Sequence, residues 1–401
     1  MKKNINKNFY TKLKRGVKSL MLTGAMILAG SAGILTSMST MGCGSKVESK
    51  EEKKDDDAAA DKSDAMVWSA DCFLYTTTNK GENACAGFSE KGYEKLLKYK
   101  DAEEVVIVLP AKDVNGDEVK AFSYVNYPDI DTSVLTKANL KLVFPDSYTS
   151  YYASADKGAY FSRILKAVEL GKGFTDISGS AFKGYANLES VVFPETLKTI
   201  GFEAFYECTS LKSVIIPQSC TFVGGSAFRD CIGLESVEIR GNLEFNEVGV
   251  WDMSQFNDCS NLKTVTFTDG VTCIGEYMFA HCTSLETVNI PESVLYILEG
   301  AFEDCESLKS ISLPGVILIE PMAFSNCKSL ESVDCGNKLE EIKRSAFSGC
   351  EKLVSVTLPE TLCAIYDFVF TGCPEELTIT APADSYAAKY ATDAEFQLVV
   401  K

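Results

Sequence analysis

The chain has one histidine in 401 residues, His281, and only two tryptophans. With so little imidazole, Ser/His and Cys/His nucleophile pairs and multi-histidine metal centres are all but excluded. Glycine-rich phosphate loops and Cys-x-x-Cys pairs are also missing, which removes the common signals for nucleotide and thiol-redox chemistry. Basic residues are in the minority. The net charge is −17, and the first 42 residues carry seven Lys or Arg and no acid, so a chain without them would stand at −24. Such a surface repels phosphate backbones, and nucleic acid is not an expected partner. No catalytic residue, cofactor or metal is expected. The one enzymatic route left open is a carboxylate pair assembled by folding, as in glycosidases. The stretch "DVNGDE", Asp113 to Glu118, starts like a calcium loop. It puts Glu118 where the sixth-position Gly is needed and Tyr124 where the last Glu is needed, so it reads as a turn.

What is present begins with an export pattern. A basic stretch from Lys2 to Lys18 precedes an apolar one from Leu20 to Met41, which ends in "STMGC". This resembles a bacterial lipoprotein signal, with Thr40 standing where that family usually has Leu. The resemblance implies a signal over residues 1–42, acylation of Cys43 and a membrane anchor, for which two or three acyl chains suffice. Residues 43–65 are dense in charge of both signs and nearly free of large apolar groups. They are expected to form a flexible tether.

The rest is governed by a repeat. Phenylalanines stand at 182, 205, 228, 256, 279, 302, 324, 347 and 370, with spacings of 22 or 23 except for one of 28. Three residues after each comes a cysteine, namely Cys208, Cys231, Cys259, Cys282, Cys305, Cys327, Cys350 and Cys373, with Tyr185 in the first repeat. A Leu and a Val-x-[Ile/Leu/Phe] strand follow, as in "LKSVIIP", Leu211 to Pro217. Twenty-three residues are too few for two packed helices, so each turn must bury its apolar slots against the turns above and below. The predicted fold is a β-rich solenoid of about 23-residue turns whose strands stack in parallel about 4.8 Å apart.

The pattern Leu-x-x-Val-x-[Ile/Leu]-Pro, then Ile four residues before Ala-Phe, then Cys, resembles the BspA-like leucine-rich repeat of bacterial surface proteins. The resemblance implies a right-handed coil with a parallel sheet on one face, and adhesion or recognition at the cell surface with a protein or glycan as ligand; the alternative is a structural spacer of the cell envelope without a specific ligand. It covers residues 165–380 as regular repeats. "VVIVLPAKDVNGDEVKAF", Val105 to Phe122, resembles the family's first turn, within an N-terminal cap over residues 66–164 that holds degenerate repeats. Ala383 to Val400 resembles its closing helix and strand, within a C-terminal cap over 381–401.

Aligned on the phenylalanines, the strands supply three solvent-facing columns. One reads Glu189, Lys212, Glu235, Lys263, Glu286, Lys309, Glu331 and Val354, alternating in sign; the next, Ser190, Ser213, Ser236, Thr264, Thr287, Ser310, Ser332 and Ser355, holds only small hydroxyls. Register pairing accounts for the first of these. The third column varies: Val192, Ile215, Glu238, Thr266, Asn289, Ser312, Asp334 and Thr357. It is either a ligand face or a set of unconstrained positions. In the long repeat, Trp251 falls in the slot that elsewhere holds Ile200 or Ile274 and is assigned to the core, and the extra length around Gly241 to Glu247 to a surface loop.

Fifteen cysteines in an exported chain raise the question of disulfides. Eight of them form one column with no unique pairing and read as buried thiols. Cys72 and Cys85 flank a predicted hairpin with its turn near Asn79 to Gly81, and the spacing allows either a bridge or two free thiols. His281 occupies a polar turn slot shared with Glu207, Asp230, Asp258, Asp304 and Asn326. The adjacent His281 and Cys282 are therefore read as one polar and one core position of a turn.

Overall fold

The computed structural model describes residues 68–99, 102–123, 139–152, 161–241, 243 and 254–401. Cys43, Tyr124, Trp251 and most of the 241–247 insertion lie outside the described residues, as does the predicted signal. The described residues belong to one unit, Ala65–Lys401.

Alternating strand residues bury one face and wet the other. In Ser213–Ile216, Val214 and Ile216 are buried while Ser213 and Ile215 are exposed. The strands stack in parallel, with Ser213 beside Ser236, Thr264 and Thr287 in turn. Ser310, Ser332, Ser355 and Thr378 continue the row. Parallel stacking already begins well upstream of the regular repeats, with Ala84 beside Ala121 in one row and Glu104 beside Asn139 in the other. A second row of two-residue strands runs along the flank, with Cys273–Ile274, Tyr296–Ile297, Leu318–Ile319, Glu341–Ile342 and Ala364–Ile365 in register.

Between these rows lies the turn that carries Phe. Residues two after Phe adopt the left-handed conformation in turn after turn: Gly184, Glu207, Asp230, Asp258, His281, Asp304, Asn326, Gly349 and Gly372, with φ between 56° and 79°. Gly, Asn and Asp tolerate that region best, which explains why the slot is small or polar. The alternation turns every second N–H along the coil axis. Phe205 N donates to Ala227 O, Glu207 N to Arg229 O and Phe279 N to Ala301 O. The intervening N–H groups close local turns, as Cys208 N does onto Phe205 O. Backbone groups are thereby paired without helix or long strand.

Inside, the rings form one continuous stack. Phe122, Tyr151 and Phe182 lead into Phe205, Phe228, Phe256, Phe279, Phe302, Phe324, Phe347 and Phe370, with centroids 4.3 to 5.8 Å apart. Each ladder thiol donates to the Phe carbonyl of the preceding turn. Cys208 Sγ lies 3.2 Å from Phe182 O, Cys282 Sγ 3.3 Å from Phe256 O and Cys373 Sγ 3.4 Å from Phe347 O. In the first regular turn Tyr185 fills the slot, its hydroxyl 3.0 Å from that of Tyr151. Burial pushes the thiols of Cys208, Cys282 and Cys305 well above their ordinary pKa.

Caps close both ends. An antiparallel hairpin, Phe73–Thr77 with Asn83–Phe88, is followed by helix Glu90–Leu97, capped by Ser89 accepting from Gly92 N. At the other end helix Tyr386–Asp393, capped by Ser385, buries Ala387, Ala388 and Ala391, and Phe396 meets the last ring, Phe370, edge to face. The Cys72–Cys85 bridge that the spacing allowed is not formed, and both thiols are free and buried. The hairpin register is the reason: Cys85 stands opposite Tyr75, whereas Cys72 O accepts from Ser89 N. Asp113 anchors its own turn, Oδ1 accepting from Asn115 N and Asp117 N, as the turn reading of that stretch requires.

Candidate binding face

The three predicted outward columns lie side by side on the main sheet. In the charged column Lys166 extends the alternation upstream and pairs with Glu189 at 2.6 Å, while Lys212 and Lys263 both reach Glu235 at 3.9 Å. Ser213 and Thr264 of the hydroxyl column are exposed. Beside it the variable column is in register, Ile215 next to Glu238, Thr266 and Asn289, and Ser312 next to Asp334 and Thr357.

The register also extends the variable column upstream of Val192, through Glu169 and Val143 to Val108. Sequence alignment on the phenylalanines could not find these members, because the early turns lack the Phe-x-x-Cys marker. Their inclusion divides the column in two. Its first half offers Val108, Val192 and Ile215, exposed by 40%, 53% and 46%, with Val143 half-buried. Its second half is polar, and several of its groups are already engaged. The Glu238 carboxylate binds Arg240 through Nε at 2.7 Å and Nη2 at 3.3 Å. Asn289 Nδ2 donates to Phe267 O at 3.4 Å, and Asp334 Oδ1 accepts from Gly336 N at 3.0 Å. Even Glu169 is tied, to Lys141 at 2.8 Å. The two carboxylates that adjoin the exposed aliphatic residues in this column, Glu169 and Glu238, are thus each paired with a base, so the aliphatic half carries little unpaired charge.

On the flank, His281 Nδ1 lies 2.9 Å from Asp304 Oδ2 in the next turn, whereas Cys282 is sealed in the core. The two side chains face different environments and cannot act as a nucleophile and base. The same flank stacks carboxylates: Tyr277 Oη donates to Glu299 at 2.9 Å. Burial pushes the Glu320 carboxyl up to about 7, with Lys343 opposing the rise and Glu299, Glu276 and Glu341 adding to it. This crowding was not legible in the sequence, where the acids occupy different slots.

A family model described as BspA type leucine rich repeat region matches residues 141–252 and 249–378 in six copies. No curated protein matches. Among solved structures, a leucine-rich repeat protein from Bacteroides ovatus shares 20% identity, covering 83% of this chain and 99% of that one, with a TM-score of 0.40. A leucine rich repeat protein from T. pallidum shares 24%, covering 54% and 90%, at 0.37. A leucine rich cell surface protein from Faecalibacterium prausnitzii shares 19%, covering 80% and 96%, at 0.33.

Proposed function

The chain belongs to the BspA-type leucine-rich repeat family, and from that premise we propose that it is a binding protein of the bacterial cell surface, held by acylation of Cys43, with no catalytic role. Its ligand is a protein or glycan of a host or neighbouring cell, met by the outward face of the main sheet. The observation that carries this reading is the exposed aliphatic half of the variable column. Val192 and Ile215 would lose about 1 kcal/mol or more of water contact each on being covered, while the surrounding charges are already paired. An apolar protein ridge suits such a face better than a sugar, which is gripped by aromatic rings and unpaired polar groups. Among the described residues, this column holds none of the former.

The test is a matrix-protein and glycan array probed with the full-length chain, followed by the double variant Val192→Asp, Ile215→Asp. Binding should fall at least about tenfold with melting temperature unchanged. If it does not fall, the sheet face is not the contact. Changing Glu238, Asn289 and Asp334 to Ser should have the smaller effect. Labelled palmitate should enter the parent chain and not Cys43→Ala, and no labelling of the parent would remove the anchor.

A further inference from the structure

Among the described residues, the last strand, Gln397–Val400, is the outermost of its five-stranded sheet and pairs on one side only, with Thr378–Ala381. Its inward slots continue those of Ile379 and Ala381, which are fully buried, yet Val400 is 58% exposed and Leu398 only partly covered. The outward slot holds Val399, 49% exposed, next to Thr380. An open edge with apolar side chains on both faces is a template for another strand.

The backbone fixes how a second strand would dock. Lys401 N donates to Ala381 O, so by alternation the N–H and C=O groups of Leu398 and Val400 point away from the sheet. Charge narrows the partner. The chain stands at −17, but residues 386–401 hold Lys389 and Lys401 against Asp393 and Glu395, and are neutral. Two copies that repel elsewhere can meet here without like-charge cost.

We propose that two copies of the chain associate through this edge, Gln397–Val400 pairing antiparallel with its counterpart about a two-fold axis at Val399. In that register Leu398 faces the partner's Val400 as a hydrogen-bonded pair, which closes four backbone hydrogen bonds across the axis. Val399 faces its own copy as a non-hydrogen-bonded pair, whose Cα atoms sit about 4.5 Å apart. Leu398 and Val400 of both copies then continue the two apolar interiors into one. The contact is isologous, as a two-fold dimer requires.

A Cα separation of that size is within disulfide reach, so Val399→Cys in the full-length chain should give a disulfide-linked dimer on mild oxidation. Thr380→Cys, on the same face one strand inward, and the parent, with its exposed Cys363, serve as controls and should not. Val400→Pro removes an edge donor that the fold itself does not use. Added to Val399→Cys it should abolish cross-linking while the melting temperature holds. Sedimentation of the parent should show a monomer–dimer equilibrium that strengthens with salt, and Val400→Pro alone should stay monomeric. Cross-linking of Val399→Cys no greater than that of Thr380→Cys, or a parent monomeric at all concentrations, overturns the proposal.

Discussion

The main sheet and the flank of this coil solve the same stacking problem with opposite charge patterns. On the sheet, acids and bases alternate from Lys166 to Glu331, so each turn presents its neighbour with an opposite charge at 2.6 to 3.9 Å where the pairs close. On the flank, Glu276, Glu299 and Glu320 crowd in successive turns, and burial first, with the neighbouring carboxylates adding to it, pushes the Glu320 carboxyl up to about 7. Stacking itself is indifferent to the surface pattern, because the interior does the joining. The Phe stack and the thiol-to-carbonyl bonds run unchanged past both.

The sharpest way to break this picture is to remove an interior rung that both surfaces share. Phe279 lies between Phe256 and Phe302 at 5.4 and 5.6 Å, and Phe279→Ala should destabilise by about 3 to 5 kcal/mol. Denaturant melts should lose cooperativity as the two halves uncouple. A variant that melts like the parent would mean that the rings are not what joins the turns.

The flank is tested next. An acid whose folded pKa lies above its unfolded value contributes nothing adverse below the unfolded pKa, near 4.5, and its penalty is complete once the pH passes the folded value, about 7. The parent should therefore lose stability as pH rises from about 4.5 to 7. Glu320→Gln should remove that slope and gain on the order of 2 kcal/mol at pH 8, after allowance for partial exposure. Carboxyl NMR of Glu320 gives the titration directly, and a midpoint near 4.5 would dissolve the contrast between flank and sheet.

A smaller effect separates packing from hydrogen bonding in the ladder. Cys282→Ala leaves Phe256 O without the thiol that meets it at 3.3 Å and should cost about 1 to 2 kcal/mol. Cys282→Ser restores a donor and should recover part of that loss. If Ser is worse than Ala, the thiols serve as apolar groups and not as donors.

The repeat, the buried rings and thiols and the polar outward columns were legible because each is a vertical row of like residues at a constant period. What escaped the sequence lies between rows or depends on direction. Val108 and Val143 join the variable column only through strand register. The left-handed slot two before Phe was hidden, since the scaffold forces it on Glu203, Tyr277, Met322 and Phe368 alike and residue type carries no signal. The hairpin was foreseen but not its register, and that alone decided the fate of Cys72 and Cys85.

The alternating column itself can be sharpened with the smallest change. Lys212 stands between Glu189, whose carbonyl accepts its N–H, and Glu235. Lys212→Glu would place three carboxylates in adjacent turns and copy the flank's arrangement on the sheet. Lys212 and Glu235 are more than half exposed and Glu189 nearly so, so the cost should be only about 0.5 to 1 kcal/mol. It should vanish near 1 M salt, where screening acts within about 3 Å. An effect of that size that ignores salt would mean that Lys212 serves through its alkyl stem, and that alternation on this face is a matter of packing rather than charge.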